Sequence, residues 1–153
     1  MKARIVLALL LVLIGLAGTA CQPSGNIPAA NPIVTAETTR VVVYYFHRTI
    51  RCETCLKFES LTERALRGGF SAELASGRIA WRVVDFEEPE NEPLATKYDV
   101  SESSVVVLRV VGETEVEWKK LHDIWGLVGY EDAFIGYIQE EVGAYLGGAA
   151  HGE

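Results

Sequence analysis

An α/β sandwich built on a mixed β-sheet is the fold this sequence predicts, and three features predict it. Two β-branched and aromatic runs of strand length are each followed by helical patterning, and a third run is followed at once by a two-residue turn and a fourth strand. A Cys-x-x-Cys pair sits where the first strand gives way to the first helix. Helical crossovers make the early strands parallel, and the hairpin makes the late pair antiparallel.

Val41 to Phe46 is continuously apolar, as expected of a strand buried on both faces. From Cys55 the apolar positions fall at Phe58, Leu61 and Ala65, with Lys57, Glu59, Glu63 and Arg64 between them, until Gly68-Gly69 ends the pattern. That is an amphipathic helix beginning at the cysteine pair. A short helix over Ala72 to Ala75 precedes Gly77, and Ile79 to Phe86 reads as the second strand. Asn91 and Pro93 start a helix that runs through Leu94 to Tyr98. Val105 to Val111 is the third strand, Gly112-Glu113 the turn, and Thr114 to Trp118 the fourth strand, with Val116 and Trp118 alternating against Glu115 and Glu117. The last helix spans Glu131 to Leu146, placing Phe134, Ile138, Val142 and Tyr145 on one face before Gly147-Gly148. The domain is thus expected over 39–147, with a disordered tail over 148–153.

Ahead of it, Met1-Lys2-Ala3-Arg4, the uncharged run Ile5 to Leu16 and the small residues up to Ala20 have the order of a signal peptide, residues 1–20. The apolar run is shorter than the roughly 20 residues of a spanning helix, although an uncleaved anchor is the alternative. Gly18-Thr19-Ala20-Cys21 resembles a bacterial lipobox with Gly where Leu is usual. Lipidation at Cys21 is expected, because ordinary cleavage after Ala20 leaves a lone exposed thiol in an oxidising compartment. Residues 21–38, rich in Pro and turn formers, read as a solvated tether. The expectation is an exported, membrane-anchored lipoprotein facing the periplasm or extracytoplasmic space. The formal net charge is −7, loss of Lys2 and Arg4 makes it more negative, and no Lys/Arg cluster remains to follow a phosphate backbone. Nucleic acid is not an expected partner.

A domain of this size buries a core without disulfide staples, so Cys52 and Cys55 are not needed as scaffolding. Cys52 falls at a helix N-terminus, where unpaired N–H groups and the helix dipole stabilise a thiolate. Arg48 and Arg51 are expected to add to that effect and Glu53 to oppose it. Cys52 is then the nucleophile that forms a mixed disulfide with a partner, and Cys55, one turn on, resolves it. The bland alternative is an inert local disulfide. Leu56 stands where a c-type haem site needs His. His47 either transfers a proton in exchange or caps the strand end. Trp118 is read as core in preference to a substrate platform, His122 as a surface turn residue, and Glu87-Glu88-Pro89-Glu90 as a solvated loop.

This order of elements resembles the thioredoxin fold over Val41 to Leu146. Val84-Asp85, Tyr98-Asp99-Val100 and the strand Val105 to Leu108 are similar to the thioredoxin stretch in which Tyr-Gly-Ile leads to a cis-proline loop and the next strand. By that resemblance the substrate-loop proline position falls on Ser103 or Ser104, and the buried strand acid of many thioredoxins has no counterpart in Val43 to Phe46. More narrowly, Tyr44-Tyr45-Phe46-His47, Arg51-Cys52-x-x-Cys55, Trp118 and Ile124-Trp125 resemble small bacterial lipoproteins known as the ArsF-type subunit of a nitrophenyl nitroreductase. The resemblance implies thiol–disulfide exchange with a thiol- or disulfide-bearing protein, and electron exchange with a membrane thiol carrier. It implies no cofactor beyond the redox-active pair Cys52-Cys55. Because the proline also keeps metals off the thiolates, its loss opens an alternative, a Cu(I) or Zn²⁺ module using Cys52, Cys55 and His47.

Overall fold

The computed structural model describes residues 38–148. The expected signal peptide 1–20, the lipidation residue Cys21, the tether up to residue 37 and the tail from residue 149 lie outside them. The elements run β1 (Thr39–His47), α1 (Glu53–Gly69), α2 (Ser71–Ser76), β2 (Ile79–Asp85), a 3₁₀ turn (Pro89–Asn91), α3 (Glu92–Lys97), β3 (Ser104–Val111), β4 (Thr114–Leu121), α4 (Ile124–Leu127) and α5 (Glu131–Gly147). The sheet order is β2-β1-β3-β4, with β1 and β2 parallel and both other pairs antiparallel. The mixed sheet flanked by helices is the α/β sandwich that the sequence predicts.

Strand β1 is central, and its alternating side chains feed two cores. Val41, Val43 and Tyr45 join Val105 and Val107 of β3 against α1 and α5, whose apolar stripes supply Phe58, Leu61, Ala65, Phe134, Ile138 and Val142. The opposite face gathers Phe46, Val106, Leu108 and Val110 under Tyr98. That face is covered by the short helix α3 together with Tyr98, Phe86 and Val100, and Val42 and Tyr44 stay half-buried there while their neighbours on the other face are sealed. Phe58 stacks on Phe134 with ring centroids 6.0 Å apart, joining α1 to α5 directly behind the dithiol.

Strand β4 corrects the expected alternation. Its register with β3 passes from Val110↔Glu115 to Arg109↔Glu117, so Val116 is the extra residue of a β-bulge. Past the bulge the faces exchange. Glu115 accepts from the Tyr98 hydroxyl at 2.7 Å and from Lys97 at 2.6 Å, Glu117 turns to the other face to pair with Arg109, and Val116 is exposed. Trp118 lays its ring edge-on to Tyr98 at 5.3 Å and leaves 40 % of its surface in solvent, a cover for the outer core. The strand continues to Leu121, beyond the expected end at Trp118, because Leu121 returns to the inner core.

Helix α3 ends in a Schellman arrangement, with Val100 N–H donating to the Ala95 carbonyl (2.8 Å) and Asp99 N–H to that of Thr96 (3.2 Å). Asp99 takes φ +50° at the position that usually carries Gly, and among the described residues it is the one non-glycine with positive φ. Helix α4 has no counterpart in the sequence reading, since a four-residue helix shows no period. It buries Ile124 and leaves Trp125 half out, edge-on to Phe58 at 4.9 Å.

A dithiol at the head of the first helix

Helix α1 starts at Glu53 because Cys52 leaves the helical region, with φ −81° and ψ 163°, and caps it. Its Sγ accepts the Cys55 N–H at 3.1 Å, a bond that a thiolate at the same place would accept more strongly. Cys52 and Cys55 are joined as a disulfide. Their environments differ: Cys52 is exposed, and Cys55 is 6 % exposed and belongs to the buried stripe of α1. Ile50 and Leu56, on either side of Cys52 in sequence, are apolar and exposed.

Both arginines have carboxylate partners. Arg48 pairs with Glu87 at 2.9 Å, and Arg51 pairs with Glu59 while its guanidinium lies 5.8 Å from the centre of the Tyr45 ring. Each positive charge is matched by its own carboxylate, so the N–H of Cys55 is the donor that the geometry assigns to Cys52. Glu87 is exposed, as the reading of a solvated loop expects, and it also clamps the dithiol loop. Its carboxylate also accepts the Thr49 N–H at 3.0 Å, and Arg48 reaches the Ser101 carbonyl at 3.3 Å. Two loops far apart in sequence are thereby tied beside the cysteines. The Asp85 carboxyl is raised by desolvation, but the Glu87 N–H, the Thr49 side chain and the charges of His47 and Arg51 outweigh that and hold it below its ordinary value.

His47 ends β1 opposite Asp85, with Nδ1 2.8 Å from the Arg48 carbonyl oxygen. Its recorded hydrogen bond is this local one at the strand end, and neither sulfur is its partner. Among the described residues no three His, Cys, Asp or Glu side chains are placed to hold a metal ion. Of the two candidate loop serines, Ser103 faces the dithiol: its hydroxyl donates to Cys55 Sγ at 3.5 Å. The Ser104 hydroxyl donates to the Glu102 carbonyl at 2.9 Å, and Ser104 opens β3 opposite Phe46. His122 is an exposed turn residue.

Sequence reading missed Tyr45, Glu59 and Glu87. Tyr45 is fully buried and donates its hydroxyl to the Cys55 carbonyl at 2.6 Å. A phenol in an otherwise hydrocarbon strand must find a partner when buried, and that was the available signal.

The sequence matches no family model and no curated protein. Solved structures that the chain resembles include thioredoxins. That of Fasciola hepatica is 17 % identical with a TM-score of 0.42, the match covering 69 % of this chain and 81 % of that one. A Thermus thermophilus thioredoxin is 20 % identical at TM-score 0.36, covering 74 % and 85 %. Thioredoxin O2 of Arabidopsis thaliana, in its oxidised state, is 14 % identical at 0.35, covering 63 % and 76 %.

Proposed function

We propose that this domain carries out thiol–disulfide exchange through Cys52 and Cys55. The observation that carries the reading is their asymmetry: an exposed sulfur that caps a helix and accepts an N–H, joined to a sulfur that is buried. In the reducing direction the Cys52 thiolate attacks a partner disulfide and one partner sulfur leaves as thiolate. The Cys55 thiolate then attacks Cys52 Sγ, the mixed disulfide breaks, and the second partner sulfur leaves. The partner gains two electrons and the protein keeps the disulfide. Exposed Ile50 and Leu56 suit a protein partner whose apolar surface meets the loop.

The reading extends to an exported chain, anchored through lipidated Cys21 and facing the periplasm or extracytoplasmic space, with a membrane thiol-electron carrier as its upstream partner. It takes the exported dithiol domain from the ArsF-type resemblance and not the nitroreductase activity.

Insulin reduction and mixed-disulfide trapping test the exchange. Cys52→Ser abolishes transfer, and Cys55→Ser accumulates covalent adducts through Cys52. Full transfer by either variant contradicts the mechanism. Stoichiometric Cu(I) or Zn²⁺ on the reduced protein, weakened by both Cys52→Ser and His47→Ala, replaces exchange with metal binding. The anchor is tested by detergent partitioning, in which the wild type enters the detergent phase and Cys21→Ala stays in the aqueous one.

A further inference from the structure

The resolving sulfur has a donor of its own. Ser103 comes from the loop before β3, 48 residues from Cys55 in sequence, and is 4 % exposed. Its hydroxyl stands 3.5 Å from Cys55 Sγ, a hydrogen-bonding distance for sulfur. From β1, the Tyr45 hydroxyl holds the Cys55 carbonyl at 2.6 Å, which fixes the peptide that carries this sulfur. Burial pushes the Tyr45 phenol up, against the smaller opposing pull of Ser103 and Arg51, so it stays a donor through the neutral range. The charged or titratable groups gathered here include Tyr45, the Arg51–Glu59 pair, Cys52 itself and His47, whose ring centre lies 6.0 Å from that of Tyr45. Val43 to Phe46 place no carboxylate beside Cys55.

A buried thiolate whose neighbouring cation, Arg51, is already paired with Glu59 needs hydrogen-bond donors, and a hydroxyl supplies one without itself ionising. We propose that Ser103 is a positioning residue for the resolving step: its hydroxyl donates to the Cys55 thiolate, favours that form, and aims it at Cys52 Sγ, while Tyr45 clamps the Cys55 peptide. The inference rests on the exchange reading. The bond changes are those of resolution: Cys55 Sγ bonds Cys52 Sγ, the bond from Cys52 to the partner breaks, and its electron pair leaves on the partner sulfur. The proton that Cys55 gave up ends on that leaving thiolate or in solvent.

The test uses 5,5′-dithiobis(2-nitrobenzoate) with the reduced full chain carrying Cys21→Ala, so that Cys52 and Cys55 are its remaining thiols. Attack by Cys52 releases a first equivalent of thionitrobenzoate, and resolution by Cys55 releases a second. Removing one charge-assisted hydrogen bond disfavours the Cys55 thiolate about tenfold. A Brønsted coefficient near 0.5 returns about threefold of this as added nucleophilicity. Ser103→Ala is therefore expected to slow the second release about threefold at neutral pH and leave the first unchanged. The two profiles cross at alkaline pH, where both thiols ionise and the weaker base is the slower one. Ser103→Thr restores the parental profile, Ser104→Ala never leaves it, and Tyr45→Phe shifts it in the same direction by less. A second release in Ser103→Ala that superimposes on the parent at every pH overturns the proposal and leaves exchange standing. A parent that gives no first release overturns the exchange reading and this proposal with it.

Discussion

Phe58 is the side chain on which the support of the dithiol turns, and Phe58→Ala measures it. The ring is fully buried three residues after Cys55, stacked on Phe134 at 6.0 Å and met edge-on by Trp125 at 4.9 Å. Deleting a buried Phe ring costs about 3–5 kcal/mol in lost transfer energy and cavity. Each aromatic pair adds about 0.5–1.5 kcal/mol beyond its buried area. Three elements (α1, α4 and α5) meet at the ring, and the site cannot collapse without moving one of them, so a loss of about 4 kcal/mol is expected. At roughly 4 °C per kcal/mol for a domain of this size, the midpoint falls by about 15 °C. Urea unfolding followed by far-ultraviolet circular dichroism reads the change, with the slope unaltered if both proteins unfold in two states. A double-mutant cycle with Trp125→Ala isolates the edge-on pair, with an expected coupling of about 0.5–1.5 kcal/mol. A loss below about 2 kcal/mol, or a coupling near zero, refutes the view that this ring joins α4 and α5 to the helix bearing the cysteines.

Three further outcomes follow from named contacts. Asp99→Gly relieves φ +50° at the end of α3 and is expected to stabilise by about 0.5–1 kcal/mol, less the small worth of its exposed contact with Lys120; a lower urea midpoint contradicts the strain argument. Glu131 is held below its ordinary pKa, first by Arg64 and then by Lys57. A lowered carboxylate pKa contributes stability above the unfolded value that fades as pH falls through the folded one, so Glu131→Gln should melt below the parent at pH 7 and with it near pH 3. An equal gap at both values rules that linkage out. Glu87→Ala frees Arg48 and the Thr49 N–H, so amide exchange at Thr49 is expected to rise at least tenfold while amides of α5 are unchanged.

The parts of the fold legible in sequence are those whose burial is one-sided and regular. The stripe Cys55, Phe58, Leu61, Ala65 and the stripe Phe134, Ile138, Val142, Tyr145 are both buried as their spacing predicts. In β4 the same reasoning failed at one residue. The bulge at Val116 exchanges the faces beyond it, and an alternation rule has no term for an unpaired residue. At the site, the cysteine pair and its asymmetry were readable because both follow from position on a helix. The partners of Arg48 and Arg51 were not, since Glu87 lies 39 residues from Arg48 and only the parallel pairing of β1 with β2 brings them together. The choice between Ser103 and Ser104 is likewise tertiary. The two differ by one position, and the start of β3 decides which hydroxyl turns toward sulfur.

The exchange reading stands or falls most directly on the reduction potential of the Cys52–Cys55 couple, titrated against glutathione and dithiothreitol with metal content assayed in the same samples. A reversible two-electron transition between about −120 and −270 mV, with no metal bound to the reduced form, is the expected result. A disulfide that stays oxidised below about −300 mV, or a reduced form that holds stoichiometric metal, contradicts it.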